Sequence, residues 1–80
     1  MKVVFFGKLR EQVGTSVIDV IETPENIEGL LKVLKSKGDN WRQAFDDNDV
    51  LIAVNQTLCD SSQMLSFNDE VAFFPPVTGG

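Results

Sequence analysis

Eighty residues suffice for one small domain and leave no room for a second core. Hydrophobic residues at 42% and charged residues at 24% are ordinary globular usage, which argues against disorder and against a coiled coil. Twelve acidic against seven basic side chains give a net charge of -5, a sign that disfavours phosphate backbones and anionic bilayers, so neither nucleic acid nor membrane is an expected partner.

The chain opens on Lys2-Val3-Val4-Phe5-Phe6, a β-branched and aromatic run that ends at Gly7 and reads as a strand covered on both faces. The run is too short for a secretory signal and is followed by no small-residue cleavage site. Lys8 to Val13 fits one or two helical turns, with Leu9 and Val13 four apart and Gly14 closing them. Val17 to Ile21 is a second strand. Thr23 is the expected cap of a helix with Pro24 at its first position. Ile27, Leu30, Leu31 and Leu34 then form one apolar face, Lys35 and Lys37 fill the last turn, and Gly38 follows as the C′ residue. Gly29 inside that helix implies close approach to a sheet. Trp41 to Phe45 reads as a short irregular or 3₁₀ segment, followed by the acidic turn Asp46-Asp47-Asn48-Asp49. Val50 to Val54 is a third strand, Asn55-Gln56 a tight turn, Thr57 to Cys59 a brief fourth strand, and Asp60 to Asp69 a polar loop. Glu70 to Phe74 is the last strand, stopped by Pro75-Pro76. The longest unbroken apolar stretch, Val50 to Val54, falls far short of the ~20 residues that span a bilayer.

This order of strand, strand, helix, strand, short strand, strand predicts an α+β fold of β-grasp, ubiquitin-like type: a mixed sheet of about five strands with one main helix across one face. The first and last strands are expected at its centre. The domain occupies 1–76, and 77–80 form a flexible tail.

Composition removes most chemistry. The chain has no histidine and one cysteine, Cys59, so a tetrahedral zinc site of the usual type, a four-thiolate cluster, a Ser-His-Asp triad and an internal disulfide are all excluded. The single thiol and the missing signal point to the cytoplasm. The acidic turn lacks the glycine and later glutamate of a calcium loop, and no phosphate-binding glycine motif occurs, so no metal or cofactor is expected on this chain. What remains is the end, Pro75-Pro76-Val77-Thr78-Gly79-Gly80. The prolines cannot extend the sheet, and Val77 to Gly80 reach at most about 14 Å beyond it. Two glycines let a narrow channel close around the backbone and leave the terminal carboxylate unshielded. A terminal Gly-Gly alone equally marks a frayed end; joined to a β-grasp domain and a Pro-Pro exit, it reads as a carrier whose carboxylate another enzyme activates.

Three segments carry a resemblance: Phe5 to Glu11, Ala53 to Leu58, and Asp69 to Gly80 with its Phe-Phe-Pro-Pro-Val-Thr-Gly-Gly ending. They resemble the molybdopterin synthase small subunits (MoaD), a family of ubiquitin-like sulfur carriers. The resemblance implies that an E1-like adenylyltransferase uses ATP to adenylate Gly80, and that a sulfur-donating enzyme converts it to a thiocarboxylate. The large synthase subunit, in a heterotetramer, then uses this sulfur on a pterin precursor in molybdenum cofactor biosynthesis. It also implies that catalytic side chains lie on the large subunit and that this chain is a carrier without catalysis of its own. Val77, Thr78 and Gly79 would supply binding, register and reach, and Phe6, Arg10, Leu58, Phe74 and Pro75 would meet the partner. Phe6 and Phe74 are equally readable as core, Arg10 as a solvated side chain, and Cys59 as an inert small residue. A thiamine-pathway sulfur carrier, a ubiquitin-like modifier and a β-grasp interaction domain with an idle tail are the alternatives.

Overall fold

The computed structural model describes residues 1–76. Its elements are β1 (Lys2–Phe5), α1 (Gly7–Val13), β2 (Val17–Asp19), α2 (Ile27–Lys35), α3 (Asp39–Asp46), β3 (Leu51–Val54), β4 (Thr57–Cys59) and β5 (Glu70–Phe74). One five-stranded sheet runs in the order β2-β1-β5-β3-β4. Only the β1–β5 pairing is parallel, with Val3 opposite Val71 and Phe5 opposite Phe73; the others are antiparallel. This is the expected mixed β-grasp sheet, with the last strand at its middle and the first beside it.

Side chains alternate across a strand, so each register pair assigns a face. Val3, Phe5, Val71 and Phe73 lie on one side, together with Ile18, Ile52, Val54 and Cys59. The helices cover that side: Leu9 and Val13 of α1, Ile27, Leu30 and Leu34 of α2, and Ala44 and Phe45 of α3 join the same buried cluster. At its centre the Phe5 ring packs edge-on against Trp41 at 5.4 Å and against Phe45 at 6.3 Å, and stacks on Phe73 at 6.1 Å. Such pairs are each worth about 0.5–1.5 kcal/mol beyond the area they bury.

Four local expectations need correction. The segment 41–45 belongs to a full α-helix, α3, whose Phe45 is buried in the core. The helix α2 starts at Ile27 with Asn26 as its cap, not at Thr23-Pro24: Asn26 Oδ1 accepts from Gly29 N at 2.9 Å. Asn26 keeps an extended backbone (φ -148°, ψ 179°) because it bridges to Met64 in the loop before β5 and its neighbours bond to that loop. Leu65 N donates to Glu25 O, Ile27 N to Gln63 O, and Glu28 N to Ser61 O. Those carbonyls occupy N–H groups that a helix start leaves free. Gly38 serves as the N-cap of α3, because α2 already stops at Lys35 with Ser36 as its C-cap. Gly29 makes its close approach to Pro24, 3.3 Å from where a Cβ would stand, rather than to the sheet.

The second strand also stops at Asp19, short of the expected Ile21, and Lys37 lies beyond the end of α2, whereas the turn expectations hold. Gly14 closes α1 with φ +84°, its N–H donating to Arg10 O. Asn55 (φ 50°) and Gln56 (φ 70°) form the two-residue hairpin turn between β3 and β4, both in the left-handed conformation that suits the sheet's twist. The acidic turn is tied down rather than free: Asp46 pairs with Lys35 Nζ at 2.7 Å, and Asn48 Nδ2 donates to Ala44 O and to Gln12 Oε1.

Candidate functional site

The second face of the sheet carries no helix. The expectation that the central strands are covered on both sides therefore fails, and the failure exposes the site. The register aligns Val17, Val4, Ala72, Ala53 and Leu58 in one row across all five strands. A second row places Phe74 opposite Leu51. Phe6 keeps an extended backbone (φ -124°, ψ 157°), and its N–H donates to Phe73 O at 3.1 Å, so the alternation carries it onto the same face beside Phe74. Phe6 and Leu58 are 48% and 65% exposed, values that belong to no core position. Ala53 is shielded, yet it stands outside the core cluster, as its place on this face requires.

The face is uncharged at one end and charged at the other. The row of Asp19, Lys2 and Glu70 closes it, with Lys2 Nζ 3.5 Å from Glu70. The opposite end is aromatic and leads to Pro75 and Pro76, where β5 stops. A patch of this kind, apolar and contiguous on a small domain, is the usual mark of a protein–protein contact.

The structure sorts the residues singled out by sequence. Phe6, Leu58 and Phe74 come together on the open face, with Phe74 half-buried; Phe5 and Phe73 take the core positions. Pro75 stands half-buried at the end of β5. Arg10 is exposed on α1, one residue beyond the buried Leu9, and makes no ion pair among the described residues. Val77, Thr78, Gly79 and Gly80 lie outside the described residues. Val17 and Leu51 were missed. Each is a β-branched or aliphatic residue in a plausible strand, and only the register reveals that they share a face with Leu58.

Elsewhere the chemistry is sparse. Cys59 lies half-buried on the helix side of edge strand β4; burial first, and neighbouring Asp60 second, push its thiol above the ordinary cysteine range. Asp60 is held below the usual carboxylate range by its hydrogen bonds from the Ser62 hydroxyl and the Ser62 N–H. A polar concavity of about 490 Å³ beside the start of α2, lined by Glu22, Pro24, Glu25, Glu28 and Lys32 among others, shares no residue with the open face. Among the described residues no group of three His, Cys, Asp or Glu side chains is placed to hold a metal, and no helix is long and apolar enough to cross a membrane.

Comparison with known proteins shows the family and the fold. The sequence profile of the ThiS family matches residues 3–80. The molybdopterin synthase sulfur carrier subunit of Escherichia coli (strain K12) is 45% identical over 80 residues, covering 100% of this chain and 99% of the relative. The chain belongs to the ThiS family. Within that family it falls among the molybdopterin synthase sulfur carrier subunits. The crystal structure of SAMP1 from Haloferax volcanii superposes with a TM-score of 0.80 at 23% identity, covering 100% of this chain and 98% of that one, which is likeness of fold. A chain in the complex of subunits 1 and 2 of the molybdopterin-converting factor from Helicobacter pylori 26695 gives a TM-score of 0.71 at 22% identity, covering 99% of this chain and 96% of that one, again likeness of fold.

Proposed function

We propose that this ThiS-family chain carries sulfur on Gly80 and docks on the large subunit of molybdopterin synthase through the open face of its sheet. The observation that carries the proposal is the continuity of an uncharged apolar face with the carboxyl exit at Pro75. A partner seated on Phe6, Leu51, Leu58 and Phe74 stands directly beside the point where residues 77–80 leave the domain. A carboxylate is a poor electrophile. Attack of its oxygen on the α-phosphorus of ATP, held by an E1-like adenylyltransferase, expels pyrophosphate and leaves AMP as a good leaving group on the Gly80 carbonyl. Sulfide-level sulfur from a donor attacks the Gly80 carbonyl, the new C–S bond replacing the C–O bond to the departing AMP, and leaves a thiocarboxylate that is ionised, soft and more nucleophilic than the carboxylate. Val77 and Thr78 set register in the partner's channel, and Gly79 and Gly80 let that channel close around bare backbone. Nucleotide and catalytic side chains belong to the partners in this scheme, since the chain offers no histidine to act as a base. The large subunit and this chain assemble as a heterotetramer.

The test is intact-mass measurement after incubation with the adenylyltransferase, ATP and a sulfur donor. The wild-type chain exchanges one oxygen for sulfur at its C-terminus, and a chain lacking Gly80 does not. A wild-type chain whose mass stays unchanged under conditions that load a known carrier would falsify the proposal. Sulfur that loads but never reaches a pterin precursor when the large subunit is added points instead to the thiamine-type or modifier reading.

A further inference from the structure

Gly7 stands where β1 turns into α1, and it meets two separate demands. Its φ is +61°, a left-handed value. In addition, a Cβ built there would lie 2.9 Å from Pro75 Cγ and 3.1 Å from Pro75 Cδ. Gly14 provides the contrast: its φ is +84°, but a Cβ there would meet nothing within 4 Å, so only the backbone requires glycine at that point. At Gly7 the obstacle is a proline ring. Such a ring is closed onto its own backbone and cannot swing aside as a flexible side chain does, so a methyl at residue 7 is accommodated only by a shift at the contact between residues 7 and 75.

The sheet explains why the two residues meet. β1 and β5 are parallel and end together with Phe5 opposite Phe73, and the Phe6 N–H bond to Phe73 O extends the ladder one step. The next residues on the two strands, Gly7 and Pro75, arrive side by side. Gly7 then turns away into α1, while Pro75 ends the sheet and begins the run toward Gly80.

We propose that Gly7 is a positioning residue for sulfur delivery: its bare Cα seats the Pro75 ring and so fixes the main chain at residue 75, to which the carrier end is joined. The inference rests on the carrier reading above. The strands that carry the seat are anchored on both sides, because Phe5 and Phe73, two residues before Gly7 and Pro75, are fully buried against each other. The main chain at Pro75 is therefore held at a fixed point beside the open face. Misplacement of a reacting group by about 1 Å can lower a rate by up to about a hundredfold, so a small shift at residue 75 is felt at the terminal sulfur.

The experiment is a double-mutant cycle on the full-length chain with Gly7→Ala, Pro75→Ala and the pair. Thiocarboxylate is installed and its amount checked by intact mass. Single-turnover sulfur transfer to the pterin precursor is then measured over a range of large-subunit concentrations, alongside the thermal midpoint. Gly7→Ala lowers the maximal transfer rate by about tenfold or more in the wild-type background, at large-subunit concentrations that saturate docking. In the Pro75→Ala background the same change lowers it by less than about twofold, because the ring it would strike is gone. Strain at φ +61° alone would cost the same in both backgrounds, and equal losses overturn the proposal. So does an unchanged maximal rate in Gly7→Ala. Should Gly7→Ala fail to fold, Pro75→Ala decides: a slower maximal transfer with the chain folded and docked supports the seat, and an unaltered rate overturns it. Failure of the wild-type chain to acquire sulfur is a separate result, which removes the carrier reading itself.

Discussion

At residue 55 the hairpin turn shows how one side chain organises its surroundings. Asn55 takes a left-handed backbone that asparagine tolerates; its Oδ1 accepts from Glu70 N at 3.1 Å and its Nδ2 donates to Asp69 at 2.9 Å. Gln56 takes the same conformation with no such aptitude and no hydrogen bond from its side chain among the described residues. Gln56→Gly is expected to raise stability by about 0.5–1 kcal/mol, read as a higher midpoint in thermal or urea unfolding; a lower midpoint would contradict the turn geometry. Cys59 gives a second prediction at this scale. Its raised pKa keeps the thiol protonated further into the alkaline range, so iodoacetamide alkylation should rise with pH along a curve displaced above that of free cysteine. The same shift bears on folding: it favours the protonated folded form, so its contribution is complete below the unfolded thiol's pKa and fades as pH climbs through the folded one. An alkylation profile at or below that of free cysteine removes both statements.

At the scale of elements, the difference between the sheet's two faces decides which substitutions unfold the protein and which impair docking. Phe45→Ala opens the core where α3 meets Phe5 and Phe73 and is expected to cost about 3–5 kcal/mol in chemical denaturation. Leu58→Lys changes an exposed side chain on the open face. It should leave the unfolding midpoint within about 0.5 kcal/mol of wild type while weakening large-subunit binding at least about tenfold by calorimetry. Undiminished affinity would move the docking surface elsewhere. The strands and α1 were legible in the sequence because β-branched and aromatic runs, or an i, i+4 pair, end at Gly, Asn-Gln or Pro-Pro. The helix α3 was not. Asp39-Asn40-Trp41-Arg42-Gln43 has weak local preference for a helix, and what stabilises it is the burial of Ala44 and Phe45 with Trp41 against Phe5, residues far away in sequence. The start of α2 was misread for a related reason: Thr23-Pro24 is a good local signal, overridden by the pairing of residues 25–28 with 61–65. The open face was half legible. Phe6, Leu58 and Phe74 were singled out, but which of two adjacent phenylalanines faced inward depended on register.

For the whole molecule, the charged surface and the apolar open face are separate. The net charge of -5 lies outside the apolar rows, and the row of Asp19, Lys2 and Glu70 marks where the sheet face becomes polar. Association with an adenylyltransferase that presents a basic surface should slow as sodium chloride rises past 0.1 M, where screening acts within about 10 Å, while docking on the apolar face changes little. Stopped-flow rates at two salt concentrations distinguish the cases, and salt-independent association with the adenylyltransferase would exclude steering by the acidic surface. The central place of β5 also governs how the protein comes to be folded. Residue 2 must find residue 70 before the sheet can close, so nearly the whole polypeptide has to be present first, and closure is slow compared with that of a helical bundle of similar size. A chain cut short before residue 70 would leave β1 and β3 flanking an empty slot, two raw edges prone to aggregation. Completeness is thus built into the topology: a molecule whose sheet has closed already contains the strand that leads to Pro75.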